Sequence, residues 1–304
     1  MSAVPSTQAP IPQAFPWRVY AVMLAVTLMW SGNFVAVKFV VREMPPLLVM
    51  TMRTVLAALL MAPLFLANPR SPEQNRNLKR DFWLLAAVGI AGVTLNQLFF
   101  TLALERTSVA HGSLIISTTP ISILLMASLV RQERLTTLKI LGMIIALSGV
   151  ALIQFTPSKS EGATLLGDLL AMCGSLTFAA FTVFGKHIMR SHSSITINAF
   201  AYFGGAALLM PAVLLLGGVG QLATISWASW WTLGYMAVFP SVLCYVGYFY
   251  ALNYIPASRV AVFAYLQPAI ATFMAVPLLG ESISSSLLLG GAIALSGVAL
   301  TQRG

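Results

Sequence analysis

The sequence predicts an all-α integral membrane protein of ten transmembrane helices, built as two five-helix repeats of opposite orientation. Three observations carry that expectation. Of 304 residues, 58% are hydrophobic and only 8% charged, against about 25% charged in an average soluble domain. Ten apolar stretches each approach the roughly 20 residues needed to cross a hydrocarbon core of about 30 Å. The sequence also aligns with itself when shifted by 148 positions, as Ala146 falling on Ala294 illustrates.

Backbone polar groups must be satisfied within a spanning segment, so each stretch is expected to be a helix. The first five run from Trp17 to Val41, Pro46 to Leu66, Phe82 to Ala103, Ser108 to Val130 and Thr136 to Phe155. The second five run from Thr164 to Met189, Ile195 to Leu216, Ala228 to Ala251, Pro256 to Leu279 and Ser284 to Gln302. Between them lie Pro45 and Pro46, the polar stretch Asn68 to Asp81, Pro157 to Gly162, and Gly217 to Gly220, none long enough for a soluble domain. Residues 1–16 lack Lys and Arg, so they read as a disordered tail and not as a signal peptide.

The net charge of +9 would suggest nucleic acid in a soluble protein, but its distribution gives a topology. Twelve Lys or Arg fall on the face of the N-terminus, among them Arg70, Arg76, Lys79, Arg80, Arg131, Arg134, Lys139 and Arg259. Four fall on the other face (Lys38, Arg42, Arg106 and Lys159), and Arg53 lies within the second span. Both termini are therefore expected in the cytoplasm, with the chain as a multi-pass protein of a bacterial cytoplasmic (inner) membrane and no nucleic acid as partner.

The repeats are expected over residues 17–155 and 164–302. At the 148-residue shift Lys38 meets Lys186, Pro63 meets Pro211, Pro120 meets Pro268, Glu133 meets Glu281, and the run Ala146 to Leu152 meets the identical run Ala294 to Leu300. Chance likeness of apolar helices does not explain matched Lys, Pro and Glu at one offset. An odd number of spans per repeat turns equivalent helices in opposite directions, and such inverted repeats place a substrate site near the midplane.

Trp30-Ser31-Gly32-Asn33-Phe34 followed by Lys38, with Arg53, Ala103-Leu104, Pro120, Glu133 and their second-half copies, resembles the drug/metabolite transporter superfamily in its EamA-like branch. Within it the chain looks like the YddG-type aromatic amino acid exporters. The resemblance implies a transporter working by alternating access, with aromatic amino acids as cargo, and other amino acids, metabolites or cationic drugs as the alternative. It also raises Lys38 and Lys186, which sit at span ends where anchoring is the plain role, to gate candidates.

Trp30, Asn33 and Phe34 share one helical face near the middle of the first span. Their repeat counterparts include Phe178 and Phe181, while Asn96, Gln97 and Phe100 correspond to Cys244, Tyr245 and Tyr248. A cavity between these linings would offer amides on one side and aromatic faces on the other, which suits an amphipathic solute. The competing reading makes Asn and Gln helix glue and the aromatics belt residues. Pro120 and Pro268, near mid-span, each free a carbonyl one turn earlier and read as hinges or as packing kinks. Ser117, Tyr265 and Gln267 beside them could meet substrate.

Arg53, about 10 Å below the interface, reads equally as functional or as snorkelling outward. His111 reads as interfacial or as a pH-sensitive gate residue. All eight acids fall at span ends: Glu43, Glu105, Glu161, Asp168 and Glu281 on one side, Glu73, Asp81 and Glu133 on the other. No intramembrane carboxylate relay is expected. Cys173 and Cys244 lie in apolar runs, and no P-loop, GxGxxG, HExxH or CxxC pattern occurs, so no cofactor, metal or enzymatic chemistry is expected, and a monomer is.

Overall fold

The computed structural model describes residues 17–132, 135–155, 164–188, 191–215, 224–255, 262–280 and 285–301, with single positions 220, 222, 257, 260, 283 and 303. The tail 1–16, Glu133, Arg134, the connection from Pro157 to Gly162, Arg190, Arg259, Glu281 and the side chain of Tyr265 lie outside the described residues. No strand occurs among the described residues.

Among the described residues, seven helices are long and apolar enough to cross a membrane. They are α1 (Trp17–Val40), α2 (Pro46–Ala67), α4 (Phe82–Arg106), α5 (Val109–Leu129), α7 (Leu165–Ile188), α8 (Ser194–Leu215) and α9 (Trp227–Tyr254). Three further apolar helices are α6 (Thr137–Phe155), α10 (Leu266–Leu279) and α11 (Ser285–Thr301). Their outer faces carry bare apolar side chains, with Trp83 80%, Leu129 83%, Trp227 81% and Phe273 81% exposed. An apolar exterior on this scale requires lipid around it.

The polar stretch Asn68 to Asp81, expected as a plain connection, contains the short helix α3 (Pro72–Arg80). Its start was written in the sequence as a capping box. The Ser71 side chain accepts from the Gln74 amide while Gln74 accepts from the Ser71 amide, and Pro72 occupies the first turn.

Two spans contain a wide turn at related places. In α4 a π-turn covers Ile90–Leu95, and in α9 one covers Ala237–Leu243. At the 148-residue offset Gly92 corresponds to Pro240, one in each turn. Pro240 has no N–H to give the helix, which opens the ladder there. Gly92 has no side chain, and a Cβ on it would overlap the Phe181 ring, so the first π-turn lets α7 approach closely.

The packing repeats with the halves exchanged. α2 lies on α8 and α6 on α11, each a pairing of repeat counterparts, while α4 on α7 is answered by α9 on α1, and α5 on α7 by α10 on α1. The α6 and α11 contact is antiparallel and made by glycine: a Cβ at Gly149 would meet the backbone of Ala294 and Gly290, and one at Gly297 would meet Ala146 and Gly142.

Polar clasps join the halves at both ends. At the end holding the C-terminus of α1, Glu43 accepts from Ser229 Oγ (2.9 Å), Ser226 Oγ (3.0 Å) and the Ser226 amide (3.1 Å), at the start of α9. Those donors hold the Glu43 carboxyl below its ordinary pKa, the Ser229 bond most. At the opposite end His192 Nε2 lies 3.0 Å from Asp81 Oδ2, and Asn68 Nδ2 donates to Ser193 Oγ at 2.9 Å. Asp81 is the 148-offset counterpart of Ser229, so the two clasps use equivalent places with the carboxylate moved to the other partner.

Two tests follow from this packing. Gly149→Leu and Gly297→Leu should each destabilise the purified protein by about 1–3 kcal/mol, the usual cost of overpacking, read as a lower unfolding midpoint in detergent. Gly291, which has open space around its Cα, should tolerate Ala without loss.

Asp81 is pulled down to about 2 from 3.8, by the Arg80 hydrogen bond first and the His192 bond second. The Arg80 side chain is 67% exposed, so water screens its share and the His192 contact holds more of the value. A lowered carboxyl pKa stabilises the fold above its unfolded value and ceases to do so as pH falls through the folded one. Asp81→Asn should therefore cost about 1–2 kcal/mol between pH 5 and 8, with the gap closing between about pH 4 and 2.

Candidate functional site

A cavity lies between α1, α2, α4, α5, α7 and α9, closed on its remaining side by the turn Val262–Tyr265 and the start of α10. Its free space is ≈ 90 Å³. One water needs about 10–15 Å³ of such space, and a cavity of about 150 Å³ takes a benzene ring. The cavity therefore has room for several waters and is smaller than the space an aromatic ring takes.

Part of the lining is aromatic. Trp30 stands edge-on to Phe178 (5.7 Å between centroids) and Tyr245 (5.8 Å) and tilts over Tyr248 (5.4 Å), and Phe178 lies 5.2 Å from Tyr248. Phe34 and Phe100 pair at 4.9 Å towards the Lys38 end. Offset and edge-on geometries of this kind hold rings in fixed mutual orientation.

Polar groups share the lining with these rings, and the π-turn of α9 anchors them. Trp30 Nε1 donates to Pro240 O (3.1 Å), and Tyr202 Oη donates to Ser241 O (2.9 Å). Arg53 Nε donates to Ser241 Oγ (2.8 Å), whose own hydrogen goes to Met236 O (2.7 Å). Gln97 Nε2 donates to Tyr202 Oη at 3.3 Å, Asn96 Nδ2 to Gly174 O at 2.8 Å, and Tyr245 Oη to Asn96 Oδ1 at 3.3 Å. These bonds leave Asn33 Oδ1, Gln97 Oε1 and Arg53 Nη1 buried without a protein partner.

Most residues singled out in the sequence converge here: Trp30, Asn33, Phe34, Asn96, Gln97, Phe100, Phe178, Tyr245, Tyr248 and Gln267, together with Arg53 and Pro120. Arg53 does not snorkel outward; it is 2% exposed. Phe181 lies behind the lining, against Gly92 and edge-on to Phe249 at 4.9 Å. Ser117 uses its hydroxyl on Leu114 O within its own helix.

Pro120 is not a kink inside a continuous helix, as the sequence suggested. α5 is interrupted at Ser117 and Thr118, and Pro120 lies in the first turn of the new segment Thr119–Leu129. Successive hydroxyls of Ser117, Thr118 and Thr119 bond Leu114 O, Ile115 O and Ile116 O across the break, which supplies donors to carbonyls near the interruption. Pro268 is likewise early in α10, after the 3₁₀ turn Val262–Tyr265.

Lys38 is not on the cavity. Its Nζ donates to Leu104 O (2.9 Å) and Thr107 O (2.7 Å) at the junction of α4 and α5, closing the Lys38 end. Lys186 is half-buried near the far end of α7. Asp168 and His111, each in the first turn of its helix, are largely buried and face one another, Nδ1 to Oδ1 3.1 Å. Ser241 and Tyr202, which organise the polar groups, were missed; Pro240 at mid-span was the signal available for Ser241.

The family model for the EamA-like transporter family matches residues 17–155 and again 165–303. An uncharacterized transporter of Archaeoglobus fulgidus is 32% identical over 292 residues, covering 92% of this chain and 96% of its own. The uncharacterized transporter YyaM of Bacillus subtilis is 25% identical, covering 94% of each. A probable terminal-alkyne amino-acid exporter of Streptantibioticus cattleyicolor is 26% identical over 254 residues, covering 84% and 82%. A solved crystal structure aligns at a TM-score of 0.70 and 18% identity over 94% of this chain and 97% of its own, a likeness of fold. Matched by the family model in both halves, the chain belongs to the EamA-like transporter family.

Proposed function

We propose that this transporter exports small amphipathic solutes, aromatic amino acids foremost, across a bacterial cytoplasmic membrane by alternating access. In this reading ten helices span the bilayer as two inverted five-helix repeats, with both termini in the cytoplasm. α6, α10 and α11 complete the seven longer spans, and the Lys and Arg bias sets the orientation. The observation that carries the proposal is the mixed lining of the cavity: four packed rings together with amides and a guanidinium. An aromatic amino acid has an apolar ring and a polar headgroup to lay against them. The relative described as a probable amino-acid exporter agrees with that class of cargo.

Alternating access needs a seal at each end that can be released separately. The Glu43 clasp and the Asp81 clasp, at equivalent places on opposite ends, are suited to that role. Cationic drugs are the less favoured cargo, because Arg53 is the charged residue on the lining and repels them.

Counterflow in proteoliposomes loaded with a panel of amino acids, nucleosides and cationic dyes tests the proposal. Exchange of labelled phenylalanine or tryptophan is expected; exchange of dyes alone would overturn it. Trp30→Ala and Phe178→Ala should each slow aromatic exchange about two- to tenfold, the worth of an aromatic pair, while the protein remains monodisperse.

Orientation is tested by single cysteines in a Cys173→Ser, Cys244→Ser background. An impermeant thiol reagent applied to intact cells should label Ser158→Cys and spare Asn75→Cys.

A further inference from the structure

The buried cation of the cavity has chemistry that the transport reading does not yet resolve into atoms. Arg53 is 2% exposed and lines the cavity. A guanidinium stays ionised in proteins and presents a planar fork that matches a carboxylate with two parallel bonds. Here its Nε is fixed on Ser241 Oγ at 2.8 Å, so the group is held in place, while Nη1 has no protein partner. Among the described residues, no Asp or Glu lines the cavity. A fixed, desolvated positive charge without a counter-ion is costly unless an anion joins it.

Two acceptors on the same cavity are also unpartnered: Asn33 Oδ1 and Gln97 Oε1, on side chains 6% and 3% exposed. The Gln97 amide is held by its Nε2 bond to Tyr202, and Asn33 is buried on the same lining. Uncharged acceptors of this kind suit an ammonium, which brings three donors and no acceptor.

We infer that Arg53 is the carboxylate-binding residue of this transporter and that Asn33 and Gln97 receive the ammonium, so the cavity selects solutes carrying a free α-amino carboxylate. The inference rests on the cavity being the transport site, and goes further in naming the headgroup and the atoms that read it. The second repeat has no copy of this cation, since the 148-offset counterpart of Arg53 is Ala201. The headgroup is therefore read by the first half, while three of the four rings, Phe178, Tyr245 and Tyr248, come from the second and pack on Trp30 of the first.

The test varies the solute on the unaltered protein, which avoids variants that fail to fold. Purified transporter is titrated with L-phenylalanine, 3-phenylpropionate, L-phenylalaninamide and phenethylamine, reading thermal stabilisation and competition with labelled phenylalanine in counterflow. Removing the carboxylate, as in the amide and phenethylamine, is expected to weaken binding about ten- to hundredfold, the range for losing a hydrogen bond to a charged group. Removing the amine, as in 3-phenylpropionate, is expected to weaken it less.

Arg53→Gln should abolish the preference of phenylalanine over its amide, and Arg53→Lys should keep part of it. Equal binding of phenethylamine and phenylalanine by the unaltered protein would overturn the carboxylate assignment and leave amino-acid export standing. Stabilisation by 3-phenylpropionate without any phenylalanine exchange would support the subsite and overturn aromatic amino acids as cargo. Stabilisation by none of the four would overturn both.

Discussion

A backbone carbonyl released from its helix inside hydrocarbon has no water to bond and must find a donor in the protein. The centre of this molecule is arranged around that constraint. The π-turn in α9 gives Pro240 O to Trp30 and Ser241 O to Tyr202, and Ser241 returns its hydroxyl to Met236 O while accepting from Arg53. The break in α5 bonds its carbonyls with the hydroxyls of Ser117, Thr118 and Thr119. The irregular backbone is thus what orients the cavity's aromatic and charged side chains, and it is tolerated because they satisfy it.

The same places are poorly seen from a sequence. Apolar length, charge bias and the 148-residue shift speak to helices and to their pairing, because burial and repetition leave a periodic record. The face of Trp30, Asn33 and Phe34, and its meeting with Gln97 and Tyr245, was legible because equivalent depth in two repeats brings residues to one level. Ser241 and Tyr202 left no such record. Their value comes from a turn that departs from helical geometry, and only Pro240 hinted at the departure. Phe181 was misplaced for a related reason: Gly92 lets α7 approach so closely that the ring is taken up in packing. Asp168 read as a span-end acid, and there it packs against His111 of α5, a contact that no spacing announced.

The repeats agree in backbone and differ in chemistry. Both carry a π-turn at the same register, yet Gly92 stands in one and Pro240 in the other. Both ends are clasped at related places, Asp81 matching Ser229 and His192 lying one residue past the match of Glu43, yet the carboxylate is Glu43 in one and Asp81 in the other. A symmetrical frame is what the proposed opening of either end by one motion requires, and the unlike linings match the proposed solute, which is itself unlike at its two ends.

The glycine contact between α6 and α11 has a consequence for how the sequence can drift. Gly149 rests on Ala294 and Gly297 on Ala146, each pair being the other with the halves exchanged. Such a seam is isologous, the self-complementary kind normally found between two copies of one subunit. Its four positions are therefore bound together: any gain of volume at one has to be answered by a loss at the residue facing it, and a change tolerated in one half should be tolerated at its mirror place in the other. Natural variation here is expected to come in compensating pairs, with the seam accumulating substitutions at the pace of double events.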